Sequence, residues 1–118
     1  MNPIVFLKSN PRLNLVLIVL WALAIFMGSS IPGRNIPSGV GQVSTLFHAM
    51  EYMILGFLLL PYIGLNVLFA AALGSAYGFS DEIHQLFVPG RVFSLSDITV
   101  DCIGSTAGAY AAKILGMI

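Results

Sequence analysis

Charged residues are scarce in this chain. Lys and Arg together number five and Asp and Glu five in 118 residues, so charged residues make up 8 %, whereas soluble globular domains carry about 25 %. Hydrophobic residues reach 58 %, and the mean hydropathy is +0.93. These values exclude an ordinary soluble domain. They predict one integral membrane domain over residues 1–118.

The chain also lacks a run of basic residues, and its formal net charge is zero. Binding to nucleic acid and polybasic attachment to anionic lipid are therefore not expected. A single cysteine, Cys102, excludes an internal disulfide and is interpreted as a small buried side chain. Strands are not expected, because lipid-exposed backbone must satisfy its hydrogen bonds within its own segment.

Four apolar segments predict an all-α membrane protein, a bundle of about four transmembrane helices with short loops. A span takes about 20 residues, so the chain has room for four. The predicted spans cover about residues 13–29, 45–61, 65–85 and 95–115. A cleaved signal peptide shares the positive start of the first segment, but its apolar middle usually has about 7 to 15 residues. The first segment is therefore expected to be retained.

The distribution of cations predicts the orientation in the membrane. Lys8 and Arg12 precede the first span and Lys113 ends the fourth, whereas Arg34 and Arg91 fall on the other side. Because cations favour the cytoplasmic side, both termini are predicted to be cytoplasmic.

Polar side chains concentrate on three of the predicted spans. Spacings of three and four residues place them on one face of each helix. An ionisable group near the centre of a lipid-facing helix costs at least about 2.5 to 3.5 kcal/mol, so these faces are expected to converge in a pocket toward the outer side. A polar network that only holds the bundle together would use the same residues and is the alternative. The predicted pocket residues are His48, Glu51, Tyr52, Asp81, Glu82, Gln85, Arg91, Asp97 and Asp101.

The acids of this set require partners. Asp97 and Asp101 lie one turn apart and repel each other when both are ionised, so they need a cation, a metal ion or a shared proton. Arg91 is the expected structural partner. The candidate metal ligands are His48, Glu51, Asp81 and Glu82, with His84 nearby.

Gly104 and Gly108 form a small-xxx-small pair, which is typical of close helix packing in membranes. A bundle of this size has little interior in which to bury a whole lipid head group. The sequence is therefore also compatible with a homo-oligomer.

The order of these motifs resembles the VanZ-like family, small bacterial membrane proteins named after a teicoplanin-resistance protein. The matching motifs are Ser29-Ser30-x-Pro32, His48-x-x-Glu51-Tyr52-x-x-Leu55-Gly56, Asp81-Glu82-x-x-Gln85, Pro89-Gly90-Arg91, Asp97, Asp101, Gly104 and Gly108. The chain departs from the family at Asp101, where many relatives carry Asn. It also has Ser44 and Thr45 in a region that is often basic.

The resemblance implies a protein of the bacterial inner (cytoplasmic) membrane with about four spans. Some members of this family are associated with reduced susceptibility of the bacterium to lipid-bearing glycopeptide antibiotics. The resemblance supplies no chemical mechanism, and a family analogy does not replace evidence from the site.

Two functions from different classes remain open. The first is a binding module whose pocket recognises the head group of a membrane lipid, a lipid-linked cell-wall precursor or a glycopeptide, with Arg91 and Arg34 meeting a phosphate or carboxylate. The second is a membrane-embedded, metal-dependent hydrolase or phosphatase, with His48 or Glu51 as general base. No nucleophile is evident, because the nearby serines are interpreted first as helix caps or loop residues.

Overall fold

The chain folds into helices throughout the part that the computed structural model describes, residues 2–32, 40–64, 66–91 and 93–117. These ranges contain no strand, which confirms the all-α prediction for them. The helices are α1 (Pro3–Ser9), α2 (Pro11–Ser29), α3 (Val40–Tyr62), α4 (Val67–Gln85) and α5 (Leu95–Met117). The last four overlap the four predicted apolar segments, whereas α1 was not predicted. Arg34 lies outside the described residues.

Two helix starts are set by asparagine and proline. The side chain of Asn2 accepts hydrogen bonds from the backbone N–H groups of Ile4 and Val5 and so caps α1. Proline follows at the start of both α1 and α2, where its fixed φ suits a helix and its missing N–H costs nothing. The start of α1, the helix that was not predicted, is therefore specified by a local capping signal that lies before the first predicted span.

Glycines with positive φ lie in the connections on both sides of α4. Gly64 has φ 87° and Gly90 has φ 77°, a region that favours glycine. At the second connection the N–H of Arg91 donates to the carbonyl of Val88 at 3.1 Å. Pro89 and Gly90 occupy the two central positions of this turn, which reverses the chain between α4 and α5.

The closest helix packing is between α3 and α5, which also form the most extensive interhelical contact. A Cβ atom added at Gly56 would overlap the carbonyl of Ser105, and one at Gly108 would overlap the carbonyl of Met53. One at Gly104 would lie 2.8 Å from the carbonyl oxygen of Ala49. The two backbones therefore approach each other at glycines of both helices.

Apolar side chains cover much of the outside of the bundle. Among the described residues, the exposed large apolar side chains outnumber the buried ones. Buried residues meanwhile include charged and polar groups, among them His48, Asp81, Glu82 and Asp101. This distribution is the reverse of that in soluble domains, whose charged residues are almost never fully buried unless paired.

Two helical segments of the described chain are long and apolar enough to cross a membrane, Pro11–Ser29 and Thr45–Tyr62. The acids and small polar residues of α4 and α5 lower their hydropathy. The structure therefore supports helices at all four predicted positions, but length and composition identify only α2 and the larger part of α3 as candidate spans.

Candidate functional site

All five acidic residues and both histidines of the chain lie in one half of the bundle. This half, called the polar half below, comprises the end of α2, the first part of α3, the second part of α4, the first part of α5 and the turn before it. The predicted pocket residues share this half because successive long helices run in opposite directions. The acids and histidines are His48, Glu51, Asp81, Glu82, His84, Asp97 and Asp101.

His48 of α3 contacts both acids of the first turns of α5. Its Nδ1 lies 3.1 Å from Asp101 Oδ1, and its Nε2 lies 3.7 Å from Asp97 Oδ2. Asp101 is fully buried and His48 nearly so, whereas Asp97 is half-buried. The two acids lie four residues apart on one helix face, so one imidazole reaches both.

Arg91 does not take the position expected for it beside these two acids. Its Nη1 donates to the carbonyl oxygen of Ile31 at 3.0 Å and lies 3.4 and 3.5 Å from those of Gly28 and Ser29. These carbonyls lie at and just beyond the end of α2, where backbone acceptors lack helical partners and attract cations. Arg91 therefore caps α2, and His48 is the partner of Asp97 and Asp101.

Two serines at the end of α2 bind the polar face of α4. Ser29 Oγ donates to Asp81 Oδ1 at 2.5 Å, and Ser30 Oγ lies 2.9 Å from His84 Nε2. The ring of His84 also stacks on Phe26, with centroids 4.3 Å apart. Ser29 and Ser30 were absent from the predicted pocket, although their position directly after an apolar run was a usable signal.

Glu82 connects α4 to the start of α5. Its Oε2 accepts a hydrogen bond from the backbone N–H of Ser94 at 3.0 Å, and Ser94 Oγ in turn accepts from the N–H of Asp97 at 3.1 Å. Ser94 is thus the N-cap of α5. The carboxylate of Glu82 is fully buried and fixes the residue from which α5 begins.

Several buried polar atoms of the polar half have no hydrogen-bond partner among the described residues. Most buried polar groups in proteins are paired, so a local concentration of unpaired ones is unusual. They come from α3, α4 and α5. These atoms are Tyr52 OH, Glu82 Oε1, Gln85 Nε2, Asp101 Oδ2 and Ser105 Oγ.

Small residues of α4 make room for two of these side chains. A Cβ atom at Gly78 would lie 2.9 Å from Asp101 Oδ2, and one at Gly74 would overlap the side chain of Ser105. Sequence reasoning assigned no role to these two glycines, because their effect depends on which residue of α5 lies opposite. They allow the polar face of α5 to be buried against α4.

One group of potential metal ligands is present among the described residues: His48, Glu82 and Asp101. One ligand atom from each lies within 4.8 Å of the others, and all three residues are buried. His48 and Glu82 were predicted candidates. Asp101 joins them in place of Asp81, which binds Ser29, and of Glu51, which is half-buried.

Comparison with known proteins identifies the family. Neither the curated proteins nor the solved structures gave a match. A family model described as VanZ/LLP1 matches residues 6–116, nearly the whole chain. The chain therefore belongs to the VanZ-like family.

Proposed function

We propose that this protein crosses the bacterial cytoplasmic membrane four times, through α2 to α5, with both termini in the cytoplasm. Family membership and two apolar helices indicate a membrane-associated protein. Support for spans by α4 and α5 comes from their outer faces, where Leu68 is 81 % and Ile103 64 % exposed. Large apolar side chains exposed to this degree suit lipid rather than water. In this orientation the polar half lies toward the outer surface.

Within that membrane, the polar half binds the polar head group of a lipid-linked component of the cell envelope. The observation that supports this function best is the set of buried polar atoms without partners on three helices. Tyr52, Gln85 and Ser105 supply neutral hydroxyl and amide groups, which suit the hydroxyls and amides of a sugar or peptide head group. A bound head group would satisfy hydrogen bonds that the described protein residues leave unmade.

Arg91 supplies a cation in the polar half. The contacts described for it use Nη1 alone, whereas a guanidinium carries five N–H donors in a planar fork. Anchoring by one nitrogen holds the group in place, and the fork suits a phosphate or carboxylate. Arg91 is half-buried, which leaves one side of it within reach of a ligand.

The serines of this region favour binding over hydrolysis by a serine nucleophile. Ser80 Oγ donates to the carbonyl of Tyr77 in its own helix at 2.7 Å, and Ser94 Oγ serves as the cap of α5. Neither hydroxyl contacts a base. Ser30 Oγ does lie 2.9 Å from His84 Nε2, but it donates its proton to the carbonyl of Phe26 at 2.8 Å and therefore accepts from the imidazole. Retention of a lipid-linked head group would change its availability at the cell surface, and a change in susceptibility to teicoplanin-type antibiotics would follow from that.

Native mass spectrometry of the gently extracted protein tests this function. We expect a lipid-linked envelope precursor bound to the wild type and at least about tenfold lower occupancy in Arg91→Lys, which loses the planar fork. Arg12→Lys is the matched control, because Arg12 is exposed at the start of α2, in the opposite half of the bundle. Bulk phospholipid alone on the wild type, or equal occupancy in both variants, would refute head-group binding.

A further inference from the structure

We propose that His48, Glu82 and Asp101 form a binding site for a divalent transition-metal ion of the Zn²⁺ or Mn²⁺ type. Each residue comes from a different helix, α3, α4 and α5 respectively. One ligand atom from each lies within 4.8 Å of the other two. This site is a property of the protein itself and does not depend on head-group binding.

The distances suit a single bound ion. Zinc binds histidine nitrogen and carboxylate oxygen at about 2.0 to 2.2 Å in a tetrahedral site, so two ligand atoms lie about 3.4 Å apart. The ligand atoms of the three residues lie within 4.8 Å of one another. Side-chain rotations that move these atoms by about 1 Å would bring them to zinc-binding distance.

Unpaired oxygens provide a second and independent observation. Glu82 and Asp101 each have an exposed fraction of 0 %. Glu82 Oε1 and Asp101 Oδ2 have no hydrogen-bond partner among the described residues. Both are acceptors, so they require a cation or a donor. His48 Nδ1 faces Asp101 Oδ1 and leaves Oδ2 and Glu82 Oε1 without a partner.

Charge and ligand chemistry indicate the type of ion. Two ionised carboxylates are neutralised by one divalent cation, which reduces the cost of burying them together. Carboxylates suit Mg²⁺, Ca²⁺ and Mn²⁺, whereas imidazole suits Zn²⁺ and other transition metals, so a site with both kinds of ligand favours Zn²⁺ or Mn²⁺ over Mg²⁺ and Ca²⁺. Three protein ligands leave at least one coordination position for an oxygen from water or from a ligand.

The competing arrangement is a metal-free one in which a charged His48 pairs with Asp97 and Asp101. The ion must displace the 3.1 Å contact between His48 Nδ1 and Asp101 Oδ1, or bind beside it. Metal-free pairing leaves Glu82 Oε1 unsatisfied, whereas a bound ion accounts for all three residues. The two arrangements are distinguished by whether the folded protein takes up metal.

Metal content of the purified full chain provides the test. The protein is stripped with chelator, loaded separately with Zn²⁺, Mn²⁺, Mg²⁺ or Ca²⁺ in detergent, freed of excess metal and examined by elemental analysis. We expect about one Zn²⁺ or Mn²⁺ per chain and weaker retention of Mg²⁺ and Ca²⁺. Loss of a residue that only supports a metal ligand already weakens binding about 10- to 100-fold, so Glu82→Gln and Asp101→Asn should each weaken it by about 100-fold or more.

Asp81→Asn is the matched control, since Asp81 is the neighbouring buried acid of α4 but binds Ser29. Its effect on metal affinity should stay below about tenfold. X-ray absorption of the zinc-loaded wild type gives a readout that needs no variant. It should show one imidazole with oxygen ligands and no sulfur, which also excludes Cys102.

A wild type that binds no metal, or sulfur ligation in its absorption spectrum, would overturn the proposal. Equal loss of metal from Asp81→Asn and Glu82→Gln would overturn it too, as would unchanged affinity in a folded Glu82→Gln. Because lipid occupancy is measured separately, failure of the metal site and failure of head-group binding produce different results.

Discussion

Asp81 is a buried acid whose described side-chain partner is one hydroxyl, that of Ser29, at 2.5 Å. Removal of one partner from a buried polar group costs the desolvation of the group that remains, about 1 to 3 kcal/mol. Ser29 also ends α2, so the same contact fixes that end against α4. The Ser29 hydroxyl therefore provides a hydrogen bond to the buried carboxylate of Asp81 and also holds the end of α2 against α4.

We predict that Ser29→Ala lowers the free energy of unfolding by about 1 to 3 kcal/mol, measured by thermal or denaturant unfolding in detergent. Ser80→Ala is the control, because Ser80 is exposed and binds only a carbonyl of its own helix in the described contacts. Its effect should stay within about 0.5 kcal/mol. Equal stabilities of the two variants would show that the Ser29–Asp81 contact is not formed.

Individual pairings in the polar half could be predicted only in part. The spacing of residues along each helix predicted that acids and His48 lie on facing helix surfaces, and in the structure His48, Glu82 and Asp101 lie close together. Spacing could not identify the partner of Arg91. That pairing depends on the end of α2 lying beside the turn after α4, which the local sequence does not show. Spacing also could not select Asp101 over Glu51 and Asp81 as a neighbour of Glu82, because that choice depends on the relative rotation of α3, α4 and α5.

At the scale of elements, α3 and α5 are joined through glycines. Gly56 belongs to α3, Gly104 and Gly108 to α5, and each lies against a backbone carbonyl of the other helix. Such contact lets dispersion forces act over the whole helix length, which matters in lipid because lipid tails compete equally for apolar side chains. The contact also brings His48 close enough to reach Asp101.

We predict that Gly108→Ala lowers the free energy of unfolding by at least about 1 to 3 kcal/mol, because the added methyl group would overlap the carbonyl of Met53. Gly28→Ala is the matched control in α2, where an added Cβ would meet nothing within 4 Å. It should be neutral or stabilising by up to about 1 kcal/mol, because alanine favours helix. Thermal unfolding of both variants in detergent gives the comparison, and equal losses of stability would exclude close packing at Gly108.

The helices themselves were largely predictable, since long apolar segments bounded by Pro, Gly and Asn determine where they lie. α1 was missed because its apolar run, Ile4 to Leu7, is too short to predict a span, and its remaining signal is a capping asparagine with a following proline. Tertiary contacts then stabilise it: Ile4 and Leu7 are buried, and the side-chain amide of Asn2 donates to the carbonyl of Leu115 at 2.6 Å. Those contacts join residues at opposite ends of the chain and cannot be inferred from local sequence.

At the scale of the molecule, the described residues form a largely apolar exterior, and the acids and histidines lie in one half. Membrane insertion explains both features together, since exposed apolar side chains are favourable in lipid and buried acids are costly there unless they face each other. Composition predicts that environment without a structure. The number of crossings is harder to predict, because the acids of α4 and α5 lower the apolar signal of the helices that carry the site.

The crossing of the membrane by α4 decides whether the polar half opens to the outside. Tyr62 lies at the end of α3 and Phe87 in the turn after α4, and both side chains are exposed. Single cysteines at these positions, in a Cys102→Ser background, can be treated with a membrane-impermeant maleimide on right-side-out spheroplasts. We expect labelling of Phe87→Cys from outside and of Tyr62→Cys only after permeabilisation. Labelling of both from the same side would show that α4 does not cross, and the reverse pattern would place the polar half toward the cytoplasm.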